Sequence, residues 1–467
     1  MKRICVSLLV AMLSAIPLFA GGNQESSDVA ADGVIKLRLV GKDNSPTEQI
    51  NVDHINRIEK AIYEKEGLKL DIELVKVPEG SYAEKLNLMI MSGDIPDIIY
   101  FQGNDQAIAN QGILEDLRPW IAESEIMQKA MLDFNKKRIA SYPYLLWLAP
   151  PRIRVPMVRS DWYEAYGRKV ESLDEYYDML SFFKEQGGIG LTDTGNTDRI
   201  DYVFDRAFGI TSTWKKQEGR WVYSRVTDQE KAKLAFYRKL YAEEILDPEY
   251  ITTKWDAMED KLYTGQVGMI ASSAGTVVDI YESKMAKSAA GSGLTILPPA
   301  KGVDQGFTVD VTKESRGWAI SAGSKHKKAA WAFLEFMASD DGQMLDRLGF
   351  EGIHYTVEDG TIKLTDRFNE WWPRYHEVVG WKSPVPLLGE SAQKSLDIAV
   401  EYTKEDINFL IPKELAPSWD ALQNLYREYA FKLISGEYPM DRFDDFVKEW
   451  YRLGGDRLTE YAQTVLQ

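Results

Sequence analysis

A single cysteine, Cys5, stands in 467 residues. It falls at the start of the apolar run 4–19, which follows Lys2 and Arg3 and ends at Ala20 before Gly21 and Gly22. The run is too short to span a membrane and has the layout of a secretory signal peptide, assigned to 1–20. Cys5 lies too early to become the first residue of a lipid-anchored mature chain, so no lipobox cysteine is expected. The exported chain then has no thiol for a disulfide or a metal, which suits a periplasmic or extracytoplasmic location. No later segment approaches about 18 uninterrupted apolar residues, so the mature protein is expected to be soluble.

Positive charge is also scarce. With Lys2 and Arg3 removed, 54 basic side chains face 72 acidic ones, a formal charge of −18. Such a surface repels nucleic acid and anionic lipid, and neither is expected as a partner. The four histidines, His54, His326, His354 and His376, include no HExxH pair, so no zinc site is expected. There is no GxSxG, no P-loop and no GxGxxG after a strand, which leaves serine nucleophiles, nucleotides and other cofactors without support. A glycosidase pair could be drawn among so many carboxylates, but nothing singles one out. The acidic loop 193–201, "DTGNTDRID", alternates oxygen ligands as Ca²⁺ requires but lacks the sixth-position glycine and twelfth-position glutamate. It reads as a solvated turn, with no metal and no cofactor.

What is present is an alternation of strands and helices. "VIKLRLV" reads as a strand over 34–40, followed by a helix over 47–66 and a strand over 68–77. Ser81 with Glu84 makes a capping box for a helix over 82–91, and a strand over 98–101 and a helix over 105–112 follow. This order predicts a parallel α/β sheet, in which ligands sit beyond the carboxyl ends of strands. Two such ends are "GKDN" and "QGND", where Tyr100 and Phe101 run into a polar lip. Beyond them, "YPYLLWL" over 142–148 reads as a strand that meets Pro150 and Pro151 at a passage between two domains. Further helices are expected near 161, over 173–183 and over 225–244, with a loop over 187–198 between them. Strands are expected over 267–271, at "GLTIL" and at "RGWAI". Ala330, Phe333, Leu334 and Met337 share one face of a helix, and the last hundred residues read as helical. Thirteen tryptophans include several at breaks, among them Trp147, Trp214, Trp318, Trp372 and Trp381. An indole face suits a sugar ring or a cation, although any single tryptophan is more often core.

The segments "KLNLMIMSGDIPDIIYF", "IANQGILEDL", "MVRSDWYEAYGRKVESLDEYYDMLSFFK", "GQVGMI" and "LGFEGIHYTVEDG" together resemble the extracellular solute-binding proteins of bacterial ABC importers. The resemblance is to the family-1 group that includes maltose-binding protein, and within it the LplA-like branch. It implies a two-lobed periplasmic-binding-protein fold of type II. Each lobe would be a mostly parallel sheet flanked by helices, and three crossings would join the lobes, near 152–154, 316–320 and 352–355. The expected partition is a tether over 21–33, a first lobe of 34–150 with 320–352, and a second lobe of 151–319 with 353–467. A monomer that closes on an oligosaccharide and delivers it to the transmembrane subunits of a permease is implied, with no catalysis. A peptide or organic-anion receptor on the same fold is the alternative, and a carbohydrate-active enzyme a more distant one.

Position at strand ends and crossings selects the expected ligand-binding residues. Asp43, Asn44, Tyr100, Gln102 and Asn104 belong to the first lobe, and Trp214, Ser272, Ser273 and Trp381 to the second. Arg152, Arg154, Arg316, Trp318 and His354 sit at the crossings. A bidentate carboxylate contact from one of the arginines would point to a uronate, whereas pairing with one of the protein's own acids is the plainer account.

Overall fold

The computed structural model describes residues 33–288, 292–314 and 316–466. The expected signal peptide and all but the last residue of the expected tether lie outside them. Two separate four-stranded sheets organise the chain. In the first, Ile35–Val40 lies between Leu70–Leu74 and Ile98–Gln102, parallel to both, and Arg316–Ile320 joins the edge antiparallel to Ile98–Gln102. Alternation along these strands sends Leu37, Leu39 and Ile98 to one buried cluster and Val40, Ile99 and Phe101 to another, one on each face. The helix Gln49–Glu66 covers one face with Ile55, Ile58 and Ile62 and ends at Gly67, whose φ of 70° is the left-handed cap that glycine favours.

The second sheet has the order Ile189–Leu191, Val267–Ser273, Arg154–Arg159, Leu294–Ile296. Only its first pair is parallel, so this sheet is mixed where a mostly parallel one was expected. Arg154–Arg159 enters straight from the inter-lobe passage and so runs against its neighbours. Val267–Ser273 is buried along all seven residues, as a central strand must be. The C-terminal helices Ala416–Ser435, Phe443–Trp450 and Asp456–Val465 extend this lobe's core through Leu422, Tyr426, Phe446 and Leu458.

Several local expectations fail for identifiable reasons. Residues 142–148 form no strand: only Leu146 exchanges backbone hydrogen bonds with Trp318, at 2.8 and 3.0 Å. The helix Tyr82–Met91 starts where expected, but the Ser81 side chain makes no capping hydrogen bond. The loop expected over 187–198 contains the edge strand Ile189–Leu191. The chain does not leave the first lobe near 353, because Tyr375 and Val378 pack into the first-lobe core with Trp381 against it. Ala392 and Ile398 are the next residues in a second-lobe core.

That same returning segment carries His376, which is 2% exposed and whose Nε2 has no hydrogen-bond partner. Burial pushes its pKa down to about 4, against upward pulls from Asp346 and the Leu334 backbone. Unfolding restores a value near 6.5, so between these pH values the unfolded chain binds the extra proton. Stability is therefore complete above about pH 6.5 and falls by up to about 3 kcal/mol as pH drops toward 4. Urea unfolding of His376→Leu at pH 4.5 and 7 is expected to show a flatter pH dependence than wild type. An unchanged slope would remove His376 as its source.

Candidate functional site

The carboxyl ends of Ile35–Val40 and Ile98–Gln102 and the start of Arg316–Ile320 meet at a cavity of about 230 Å³. Asp43, Tyr100, Gln102, Arg316 and Trp318 line it. These expected residues come from two strand ends and the second crossing, and cross-strand pairing makes the convergence unavoidable: Arg316 lies opposite Gln102, and Trp318 opposite Tyr100. The Tyr100 and Trp318 ring centroids are 5.0 Å apart, and Trp318 is 5.3 Å from Tyr375 on its other side. Trp318 is nearly fully buried and forms the floor. Asn44 is buried beside it: a Cβ on Gly41 would meet both Asn44 Nδ2, at 2.4 Å, and Trp318 Cη2, at 3.1 Å.

Asn104 is exposed, and its carbonyl accepts from Asn87 Nδ2 at 2.7 Å. Gly103 and Asn104 have φ of 88° and 59°, so the lip turns sharply and carries Asn104 outside the cavity lining. Asp105 is buried instead, accepting from Tyr142 Oη and Lys313 Nζ at 2.6 and 2.9 Å, and serves the framework.

Sequence position misses the opposite wall. Trp372, Pro373, Arg374, Tyr375 and Glu377 line the cavity, as does Trp147, which stands just before the first passage. Asp346, fully buried in the helix Asp340–Leu348, holds that wall: its carboxylate accepts from Tyr375 N at 2.9 Å and from Arg374 N at 2.9 and 3.1 Å. His54 Nε2 donates to the same carboxylate at 3.1 Å while its Nδ1 accepts from Arg57 Nη2 at 2.8 Å. Burial lowers the His54 pKa and keeps the ring neutral. Burial alone would raise Asp346, but the hydrogen bonds from His54 and the two backbone N–H groups hold it below the ordinary carboxylate value.

Other expected residues are placed elsewhere. Trp214 is wholly buried in the second-lobe core, stacked on Phe409 at 5.3 Å, and has no surface to offer a ligand. His354 is buried against Trp371 and Phe350, its Nδ1 accepting from Phe350 N at 2.9 Å. Trp381 packs on the first lobe, not the second, with Arg347 over its ring. Ser272 is buried 3.0 Å from Tyr281 Oη, and Ser273 accepts from Arg152 Nε at 2.7 Å. Arg152 and Arg154 occupy the passage into the second lobe, near Arg316.

The acidic loop is not a solvated turn. Asp193 is buried and accepts from the N–H groups of Thr194, Arg199 and Ile200 at 2.7, 3.1 and 3.1 Å. Burial pushes its pKa up to about 7 despite those bonds and Arg199. Backbone donors occupy the space where a cation would need oxygen ligands. Among the described residues no group of three or more His, Cys, Asp or Glu side chains is arranged to hold a metal ion.

Around the cavity, donors wait for partners. Trp147 Nε1, Trp318 Nε1, Tyr375 Oη and the adjacent Asn44 Nδ2 are buried and make no hydrogen bond. Buried polar atoms are ordinarily paired, so four unpaired ones around one cavity set its walls apart from the rest of the interior. An aromatic floor, two lobes and a cleft lined with hydrogen-bonding groups define a receptor for a polar solute. Residues 51–344 match the family described as bacterial extracellular solute-binding protein, and the chain belongs to that family. It is a binding protein and not an enzyme, and no helix among the described residues is long and apolar enough to cross a membrane.

Two relatives are from Bacillus subtilis (strain 168). Lipoprotein LipO is 23% identical over 434 residues, 85% of this chain and 86% of its own length. The polygalacturonan/rhamnogalacturonan-binding protein YtcQ is 23% identical over 444 residues, 88% of each chain. Among solved structures, the N-glycan transport solute binding protein NgtS from Streptococcus pneumoniae matches with a TM-score of 0.66 at 16% identity, covering 91% of this chain and 97% of its own. The two-lobed periplasmic-binding-protein fold is thus shared.

Proposed function

We propose that this protein is the substrate-binding component of an ABC importer, capturing an oligosaccharide outside the cytoplasm and delivering it to the transmembrane subunits of a permease. The observation that carries the reading is the cavity's pairing of aromatic faces with hydrogen-bonding side chains at two strand ends. Tyr100, Trp147 and Trp372 offer faces for sugar C–H surfaces, with Trp318 packed beneath them, and Asp43, Gln102, Arg316 and Arg374 offer hydrogen-bonding groups to hydroxyl and ring oxygens. Relatives named for polygalacturonan and rhamnogalacturonan binding and a structural neighbour named for N-glycan transport support a glycan ligand. The protein works as a monomer, exported by the leader at 1–20 without a lipobox cysteine. Binding draws the lobes together, because ligand contacts to both favour the closed state.

Three tryptophans at the cavity, Trp147, Trp318 and Trp372, predict that intrinsic fluorescence changes on adding a bound oligosaccharide and that Tm rises with its concentration. Trp147→Ala is expected to weaken that binding by about 1–3 kcal/mol, roughly 5- to 150-fold, with the unliganded Tm little changed. Failure of every saccharide in a broad panel to raise Tm, with a peptide succeeding, would replace this reading by a non-sugar receptor. Sustained release of product from a glycan would replace it by an enzyme.

A further inference from the structure

Four arginines lie near one another where the cavity adjoins the passage between the lobes. Arg316 opens the first-lobe strand and lines the cavity. Arg152 lies in the passage between lobes, and Arg154 opens the second-lobe strand opposite Ser273, its guanidinium 5.5 Å from the centre of the Tyr202 ring. Arg199 comes from the second-lobe loop after Ile189–Leu191, 4.4 Å over the Trp255 ring, with Nη1 buried and unpartnered. The groups are close enough to act on one another: burial, then Arg316, Arg154 and Arg199, push Arg152 down to about 10. Burial and then Arg154 lower Arg199 as well.

Nearby acids are already engaged. Among the described residues no carboxylate forms an ion pair with Arg152, Arg154 or Arg316. Glu314, which acts on Arg152, is held by Arg138 at 2.6 Å. Asp193, 3.6 Å from Arg199, accepts from three backbone N–H groups. Asp43 and Glu377 also line the cavity, where they suit sugar hydroxyls as acceptors. In a chain whose formal charge is −16, four clustered guanidinium groups form a local reversal of sign.

We propose that the captured oligosaccharide is acidic, a run of uronate residues whose carboxylates bridge Arg316 on the first lobe to Arg154 and Arg199 on the second, with Arg152 between them. This rests on the oligosaccharide reading and narrows it. A carboxylate only accepts and a guanidinium only donates, in a planar fork that matches two carboxylate oxygens. The charges also couple binding to closure. In the empty protein Arg152 stands between the like charges of Arg316, Arg154 and Arg199, and ligand carboxylates turn that repulsion into a bridge.

Calorimetric titration of the purified protein with trimers of galacturonate, glucuronate, mannuronate and guluronate, their methyl esters and neutral maltotriose and xylotriose tests this. At least one uronate trimer is expected to bind roughly 100-fold or more tightly than its ester and the neutral trimers, with affinity falling as salt rises. Arg154→Gln and Arg316→Gln are each expected to weaken that binding by roughly 10- to 100-fold without lowering the unliganded Tm, since each relieves repulsion. Neutral trimers or esters binding as tightly as the acids, or arginine variants binding as wild type does, would overturn the acidic ligand and leave the oligosaccharide reading standing. Binding of a peptide or small organic anion with no saccharide bound would overturn both.

Discussion

Lys233→Met is expected to destabilise the protein by about 3–5 kcal/mol, because it strands buried carboxylates without their cation. Lys233 is completely buried in the helix Asp228–Ala242, with Nζ at 2.8 Å from Asp201, 2.7 Å from Asp205 and 3.3 Å from Glu230. Arg225 reaches the same three acids at 3.0, 3.2 and 2.9 Å. Tyr237 and Tyr426 donate to Asp201 and Glu230 at 2.9 and 2.6 Å. Three acids and two cations already leave an excess of negative charge, and burial pushes Asp205 up to about 6 even with Arg225 and Lys233 beside it. Methionine fills the stem's space but removes the charge, so the cost is electrostatic and not a cavity. Urea unfolding near pH 7 measures it, with Tyr237→Phe as the control for one lost hydrogen bond, about 1.5–3 kcal/mol. A loss below about 1 kcal/mol in Lys233→Met would show that the cluster does not depend on its lysine.

The cluster also bears on the cleft. Asp201 begins the short helix Asp201–Phe204 directly after the loop that presents Arg199. Fixing Asp201 through Lys233, Arg225 and Tyr237 fixes one end of that loop, and the hydrogen bonds of Asp193 fix its shape. From the sequence the loop reads as a solvated turn whose oxygen ligands fall short of a calcium site. The relevant fact, that backbone N–H groups satisfy the Asp193 carboxylate while Nη1 of the neighbouring Arg199 has no partner, depends on the fold around it.

Other parts of the site were legible for a local reason. Tyr100 and Gln102 stand at the end of an alternating strand, and Asp43 follows another. Strand alternation and the rule that ligands sit at carboxyl ends place them without tertiary information. Arg316 and Trp318 were reachable because they open a recognisable strand at a crossing. Trp214 misled because its neighbourhood looks like a turn, whereas the ring that covers it, Phe409, lies far along the chain. The wall at 372–377 has neither helical nor strand periodicity. Its conformation is set by distant groups, including Asn51, which accepts from Arg374 Nε at 3.2 Å, and Asp346.

That dependence makes Asp346 the position where stability and binding should fail together. Asp346→Ala removes the acceptor for His54 and for the N–H groups of Arg374 and Tyr375, all within the first-lobe interior. Leaving several buried donors unpaired is expected to cost about 3–5 kcal/mol. Asp346→Asn keeps the shape and is the sharper test. One acceptor oxygen becomes an NH₂ group set against N–H donors, so at least one of the three contacts turns repulsive. Asn should therefore be nearly as destabilising as Ala, whereas a purely steric role would leave Asn close to wild type. Because Trp372, Arg374 and Tyr375 line the cavity, the folded fraction of either variant should also bind ligand more weakly, by roughly tenfold for a wall displaced from its productive position. Urea unfolding and titration under conditions where each variant is folded separate the two effects. Wild-type affinity in a strongly destabilised Asp346→Asn would mean that the wall holds its place without this carboxylate, and the link between core and cleft would be lost.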